Sequence, residues 1–309
     1  MKKSLIEPFT SRKSRTLMSS ALRSSIPFII IWLSSSEVIQ FFVSKLLFIC
    51  SQNYENLLYK ILAKTLFLGK EVIYMPSCHS TNDIALQMLK KPDIREGVVI
   101  IAGHQTSGRG QRGNNWKSDP DSNLTLSVIL KPNFLQASDQ FYLNMVASLA
   151  VQRAIQGGVD GQDMKVKWPN DVLLNEKKVA GILIENILQK SSIQWAVLGI
   201  GVNVNQKSFG LEKATSMSQV VNKVFDLSIL FEKLIESIEY YYLRLRSGKR
   251  EELREEYLQH LFGFQQFRNY RTEYVFSGKI IDVAETGRLI METTKGVQSF
   301  DFKEVEFLY

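Results

Sequence analysis

Gln105-Thr106-Ser107-Gly108-Arg109-Gly110-Gln111-Arg112-Gly113-Asn114-Asn115-Trp116 is the stretch that separates two fold classes. Gly108 to Gly113 fits G-x-G-x-x-G, the spacing of a dinucleotide-binding turn. Such a turn needs a helix directly after it, so that a pyrophosphate meets the helix N-terminus. Here Asn114-Asn115-Trp116-Lys117-Ser118-Asp119-Pro120 follows, which is turn chemistry. The doubly wound Rossmann reading therefore falls. The stretch reads instead as a glycine-rich loop that closes on an anion. Glycines let backbone N–H groups approach oxygen atoms closely. Arg109 and Arg112 offer planar forks for a carboxylate or a phosphate.

Outward from this loop the periodicity predicts a mixed α+β body. Gly97–Ala102 is an apolar strand before the loop, and Leu124–Leu130 is another after it. Upstream, Glu71–Met75 is a short β run, and Ser80 or Thr81 can cap a helix over Asn82–Lys90. Downstream, Gln140–Ile155 reads as a helix that ends at Gly157-Gly158. Short β runs follow at Lys165–Trp168, Val172–Leu174, Val179–Asn186 and Trp195–Asn203, with a hairpin turn at Asn175-Glu176. Leu227–Arg246 and Glu251–Leu261 have the spacing of amphipathic helices. After Gly263 come five short strands, with turns expected at Ser277-Gly278, Glu285-Thr286-Gly287 and Lys295-Gly296. Five short strands in so little chain predict a small β-barrel. The expected domains are 70–262 for the α+β body and 263–309 for the barrel, behind an extension at 1–69.

The 309 residues carry a net charge of +7, which invites a nucleic-acid or membrane reading. Residues 1–70 hold ten Lys/Arg and three acids, and the remaining 239 residues carry 28 of each sign. The surplus belongs wholly to the extension. Its apolar runs, Ile26–Leu33 and Val38–Cys50, are too short to span a bilayer. Contact of 26–50 with a membrane is the minor reading. The major one is an extension that adds no chemistry. No pair of capped helices with a glycine turn stands there, so no nucleic-acid partner is expected. Two cysteines, Cys50 and Cys78, exclude a disulfide scaffold. Three histidines, His79, His104 and His260, argue against a histidine metal centre.

Three further stretches carry chemistry. In Lys165-Val166-Lys167-Trp168-Pro169-Asn170-Asp171 a strand ends at a proline, which leaves Asn170 and Asp171 on a bend beside lysines. That combination suits a phosphate or a metal-phosphate, although Trp168 also reads as a core anchor. In Lys178-Val179-Ala180-Gly181-Ile182-Leu183 small residues keep a strand slim, so that a ligand can come close. Gly201-Val202-Asn203 ends a strand with an amide placed for a ligand. No Ser/His/Asp arrangement stands out, and Cys78-His79 has nothing nearby to orient the histidine.

Together with Ser80-Thr81-Asn82, these stretches resemble the ordered motif set of the biotin protein ligases, from about residue 71 to the end of the sequence. The resemblance implies a mixed-sheet catalytic domain of the biotin/lipoate ligase type followed by an SH3-like barrel, without an N-terminal DNA-binding domain. It implies activation of biotin by ATP as biotinyl-5′-AMP, then transfer to a lysine of a biotin carboxyl carrier protein. Lipoate or octanoate transfer and a non-catalytic biotin sensor are the alternatives. By position in the motifs, Ser80, Thr81, Asn82, Gln105, Gly108, Arg109 and Lys178 are expected at biotin. Arg112, Trp116, Lys167, Asn170 and Asn203 are expected at ATP. Arg109, Lys178 and Asp171 are expected to be catalytic. Mg2+ is expected with ATP and without direct protein ligands. A homodimer is possible in such a family, and a cytoplasmic location follows from the substrates. One departure stands out: Gln111 occupies a position where many members carry arginine, which removes a charge that would help hold the adenylate.

Overall fold

The structure is a computed structural model that describes residues 64–210 and 213–309. The extension, including its apolar runs at 26–50, lies outside the described residues up to residue 63.

A seven-stranded mixed sheet forms the body, in the order β1-β2-β3-β7-β6-β5-β4. The strands are β1 (Val72–Cys78), β2 (Val99–Gln105), β3 (Leu124–Leu130), β4 (Met164–Lys167), β5 (Asp171–Leu174), β6 (Lys177–Gln189) and β7 (Ser192–Val202). Only β1 and β2 pair in parallel; the other neighbours are antiparallel. The apolar run after Gly97 alternates between two cores. Val99 and Ile101 join the main core, while Val98 and Ile100 point to a smaller cluster on the other face. Helix α1 (Thr81–Met88) contributes Ala85 to that cluster. On the main face lie α2 (Phe141–Gln156), the long α4 (Leu227–Arg246) and α5 (Arg250–His260). A short α3 (Met217–Val221), absent from the sequence-based expectation, precedes α4.

The two-residue turn between β5 and β6 is where the sequence placed it. Asn175 and Glu176 both have positive φ, 50° and 61°, which suits the tight twist of a two-residue hairpin.

The C-terminal part is a five-stranded antiparallel sheet of order β11-β10-β9-β8-β12. Its strands are β8 (Phe267–Arg271), β9 (Val275–Val283), β10 (Leu289–Thr293), β11 (Gly296–Phe300) and β12 (Glu306–Phe307). One expected turn is corrected. Ser277-Gly278 lies inside β9, paired with Asn269 and Arg268, and the chain reverses before β9 instead. Gly278 is there for packing. A Cβ on it would come within 3.0 Å of Met291 Cε and 3.2 Å of the Phe276 ring.

Aromatic residues bind the two sheets into one core. Phe141 and Trp168 of the body both contact Phe302, at ring-centroid distances of 6.2 and 5.3 Å. Trp168 Nε1 donates to Gly287 O at 2.9 Å. Gly287 has φ 90°, and a Cβ there would lie 2.6 Å from the Phe141 ring. Both its backbone angle and its close approach require glycine.

The packed body starts before residue 70. Leu68 is fully buried. Glu239 of α4, itself buried, accepts the backbone N–H groups of Leu66, Phe67 and Leu68 at 2.6, 2.9 and 3.0 Å.

Candidate functional site

A cleft of about 380 Å³ opens where the glycine-rich loop, the start of α1, the β4–β5 turn and the C-terminal residues 303–307 converge over β6 and β7. Its floor is made of glycine. Gly181 pairs with Gly201 across β6 and β7, and Leu183 pairs with Gly199. A Cβ on Gly199 would lie 2.2 Å from Asn82 Oδ1, and one on Gly201 would lie 2.3 Å from the Trp116 indole. Bare backbone at these points lets α1 and the indole sit directly on the sheet.

At one end of the cleft is a nest of neutral polar groups. Ser80, Thr81 and Asn82 are 2%, 3% and 4% exposed. Ser80 occupies the N-cap position but its side chain makes no capping bond. Gln105, at the end of β2, takes that place: its Oε1 accepts the Thr81 N–H at 2.7 Å and the Thr81 hydroxyl at 3.1 Å. Ser127 Oγ of β3 lies 2.7 Å from Thr81 Oγ1 and donates to Asn82 Oδ1 at 2.6 Å. Asn82 Nδ2 donates to Glu185 Oε2 of β6 at 2.8 Å. Oriented amides and hydroxyls of this kind can read a compact polar ring by its donors and acceptors.

The cationic groups follow along the cleft. Arg109, 39% exposed, donates from Nη2 to Glu185 Oε2 at 2.7 Å and lies 2.6 Å from Asp83 Oδ1. Lys178 Nζ sits 2.6 Å from Asp171 Oδ1 and 5.7 Å from the centre of the Trp116 ring. Lys167 Nζ lies over Phe307 and Tyr309, at 5.6 and 5.3 Å from the ring centres. These positions suit a ligand that is neutral and polar at one end and anionic toward the other.

The loop is a closed hairpin in this structure. Arg109 and Asn115 form a β-bridge, Gly110 N–H donates to Asn114 O at 2.7 Å, and Trp116 N–H donates to Gly108 O at 2.9 Å. Gln111–Gly113 is one 3₁₀ turn, and no α-helix follows, as the sequence required.

Of the residues singled out from sequence, Ser80, Thr81, Asn82, Gln105, Arg109, Trp116, Lys167, Asn170, Asp171 and Lys178 line this one cleft. Two do not. Gly108 lies behind the wall: a Cβ there would be 2.4 Å from Trp116 O, so its place is the loop's own closure. Asn203 is buried and turned away, its Nδ2 donating to Thr215 O at 3.1 Å. Asn170 reaches the cleft but spends its amide on Ile182 O at 2.6 Å, bracing the β4–β5 turn against β6. The Arg112 side chain lies outside the described residues. Cys78 is buried, and burial, followed by the charge of Asp83, pushes its thiol up, which keeps it from acting as a thiolate. Among the described residues no three His, Cys, Asp or Glu gather as a metal site.

Several residues escaped sequence reasoning. Ser127, Asp83 and Glu185 join the polar nest and the loop, and their signal is only their neighbourhood in space. The C-terminal segment supplies Lys303, Val305, Glu306 and Phe307 to the wall. Lys213 Nζ lies over the Tyr309 ring at 4.5 Å, and Lys178 N–H donates to Lys213 O at 2.8 Å. Burial raises the Tyr309 hydroxyl, against the nearby Lys213, which lowers it.

The Biotin/lipoate A/B protein ligase family matches residues 74–203. The bifunctional ligase/repressor BirA of Bacillus subtilis is 28% identical over 250 residues, covering 79% of this chain and 76% of that protein. The biotin--[acetyl-CoA-carboxylase] ligase of Mycobacterium tuberculosis is 34% identical over 164 residues, covering 52% of this chain and 59% of that protein. Among solved structures, the biotin protein ligase of Aquifex aeolicus in complex with biotin and ATP is 26% identical with a TM-score of 0.65, covering 77% of this chain and 99% of that one.

Proposed function

We infer that this chain is a member of the biotin/lipoate A/B protein ligase family and a biotin protein ligase that uses ATP to join biotin to a protein lysine. The observation that carries the reading is the shared cleft, which sets the polar nest of Thr81, Asn82, Gln105 and Ser127 end to end with Arg109, Lys178 and Lys167. In the first step the biotin carboxylate attacks the α-phosphorus of ATP, and pyrophosphate leaves. In the second the ε-amine of a carrier lysine attacks the carbonyl carbon of the mixed anhydride, and AMP leaves. Neither step needs an enzyme nucleophile, so the protein's work is placement and charge neutralisation.

The residue roles follow from position. Thr81, Asn82 and Gln105 hold the ureido ring, with Ser80 and Gly108 shaping the backbone around them. Arg109 and Lys178 meet the carboxylate and the acyl-phosphate formed from it. Asp171, 2.6 Å from Lys178, fixes that ammonium and stands where the incoming amine must lose its proton. Lys167 faces the triphosphate, Arg112 is assigned to the same group on its place in the motif alone, and Trp116 covers the chain and nucleotide between the two ends. Asn203 acts from behind the wall, through Thr215. Mg2+ enters with ATP, where it offsets phosphate charge. The acyl acceptor is a biotin carboxyl carrier protein or domain, and the setting is the cytoplasm, where ATP and the carrier meet.

The test is transfer of labelled biotin to a carrier domain, with labelled lipoate in a parallel arm. Biotin-dependent release of pyrophosphate and carrier labelling by the wild type, both lost in Lys178→Ala, are expected. Labelling by lipoate in place of biotin, or biotin binding without turnover of ATP, overturns the reading.

A further inference from the structure

Arg109 is tethered by one of its three nitrogens. Nη2 donates to Glu185 Oε2 at 2.7 Å and lies 2.6 Å from Asp83 Oδ1. Among the described residues Nε and Nη1 have no partner, and the side chain lines the cleft. The two carboxylates come from separate elements. Asp83 stands in the first turn of α1, directly after the nest residues Thr81 and Asn82, and Glu185 stands on β6, four residues beyond the floor glycine Gly181. Glu185 is shared: the oxygen that accepts from Arg109 also accepts from Asn82 Nδ2 at 2.8 Å. One chain of contacts thus joins Ser127, Asn82, Glu185, Arg109 and Asp83.

From this geometry we propose that Asp83 and Glu185 are positioning residues, which hold the Arg109 guanidinium with Nε and Nη1 turned to the ligand carboxylate and latch the glycine-rich loop to the biotin nest before the ligand arrives. A guanidinium is a rigid planar fork, so fixing one nitrogen fixes the direction of the other two. Two carboxylates on one arginine leave net negative charge behind it, so the pair aims the open edge of the guanidinium and adds no attraction of its own for an arriving anion. A loop already latched avoids the ordering cost that a free loop incurs on binding. The latch bears on the first step and on biotin affinity. The carrier docks later and makes no demand on it.

This inference rests on the biotin ligase reading, and its test separates the two. The measurement is biotin-dependent ATP–pyrophosphate exchange with the wild type, Asp83→Asn, Asp83→Glu and Glu185→Gln, alongside carrier labelling from preformed biotinyl-5′-AMP and thermal unfolding of each variant. Asp83→Asn is expected to raise the KM for biotin about tenfold with kcat and the KM for ATP within about twofold. Asp83→Glu is expected to recover most of the loss, since it restores the charge. Glu185→Gln is expected to cost more than Asp83→Asn, because the oxygen whose charge it removes is shared by Arg109 and Asn82. Labelling from preformed adenylate at saturation is expected to be unchanged. An unchanged KM for biotin in both neutral variants overturns the latch, and so does a parallel loss of all constants that tracks a lower Tm. No exchange by the wild type overturns the ligase reading itself and the latch with it.

Discussion

Lys178 meets an acid, an indole and a glycine at once, so its replacement is felt in chemistry before it is felt in stability. Its ammonium is 36% exposed and 2.6 Å from Asp171. A charge-assisted hydrogen bond of about 1.5–3 kcal/mol that tightens as charge builds on the acyl-phosphate corresponds to roughly tenfold to a hundredfold in rate. Lys178→Ala is therefore expected to lower kcat for adenylation by about that factor, read by pyrophosphate release, with Tm nearly unchanged. Gly201 supplies the complementary case. Alanine there places a Cβ 2.3 Å from the Trp116 indole, so the ring must leave the floor of the cleft. Gly201→Ala is expected to raise the KM for biotin or ATP at least severalfold and to alter Trp116 fluorescence. An unchanged emission and KM would show that the indole does not rest on Gly201. At this scale the sequence was readable where a residue type has a dedicated use, as with the paired lysines at 167 and 178 and the glycines at 181 and 201. It was silent on Ser127, Asp83 and Glu185, because ordinary polar residues acquire meaning only from what the fold brings beside them.

Helix ends and element junctions depend on fewer contacts than the sheet does, and two of them make quantitative expectations. Asp226 caps α4: its Oδ1 accepts from Ser228 N–H at 2.8 Å and from the Ser228 hydroxyl at 2.6 Å. The Ser228 hydroxyl bond is the main cause that holds this carboxyl below the usual range, with the backbone N–H groups adding to it. A carboxyl lowered in the folded state stabilises the fold above its unfolded pKa, and that stabilisation disappears as pH falls through the folded value. Asp226→Ala is expected to cost about 1 kcal/mol near neutrality, a few degrees of Tm, with the difference narrowing only in strong acid. Gly287 joins the small sheet to the body. Gly287→Ala combines a positive φ with a Cβ 2.6 Å from Phe141, and the expected cost is about 1–3 kcal/mol in denaturant unfolding. The helices and most strands were legible from period alone, since apolar positions 3.6 or 2 apart mark a face. The turn expected at Ser277-Gly278 was not where the chain reverses. A glycine that a neighbouring side chain needs looks, in one dimension, the same as a glycine that a turn needs.

For the molecule as a whole, the first concern is where the working body begins. Glu239 takes three backbone N–H groups from Leu66 to Leu68, and a chain beginning at Lys70 leaves that buried carboxylate without them. Leaving a buried acceptor without its donors costs about 1–3 kcal/mol, and more when the acceptor is charged. A chain beginning at Lys64 is expected to unfold like the full chain and to label a carrier equally well. One beginning at Lys70 is expected to melt several degrees lower. Equal melting of the two would show that Glu239 finds other partners. At the opposite end, the C-terminal sheet completes the cleft through Lys303 to Phe307, and the Tyr309 ring carries Lys167 and Lys213. Tyr309→Ala is expected to raise the KM for ATP severalfold and leave that for biotin alone, whereas Tyr309→Phe, which keeps the ring, retains the wild-type values.

The sequence alone determined the class of the fold, the location of the basic surplus in the first 70 residues, and ten of the residues that line the cleft. The first two are local properties, written along the chain as hydrophobic period, turn chemistry and charge; the cleft residues came partly from these and partly from the resemblance to the biotin protein ligase motifs. The tertiary structure decided that Gly108 and Asn203 stand behind the wall, that Gln105 caps α1, that Arg109 is held by two acids, and that the C-terminal sheet closes the site. The places of Gly108 and Asn203 rest on how a loop folds back on itself, and the others on contacts between segments far apart in sequence, as between Thr81 and Gln105 or Arg109 and Glu185. Only the packing of the two sheets and α1 sets those distances, and no spacing in the sequence encodes them.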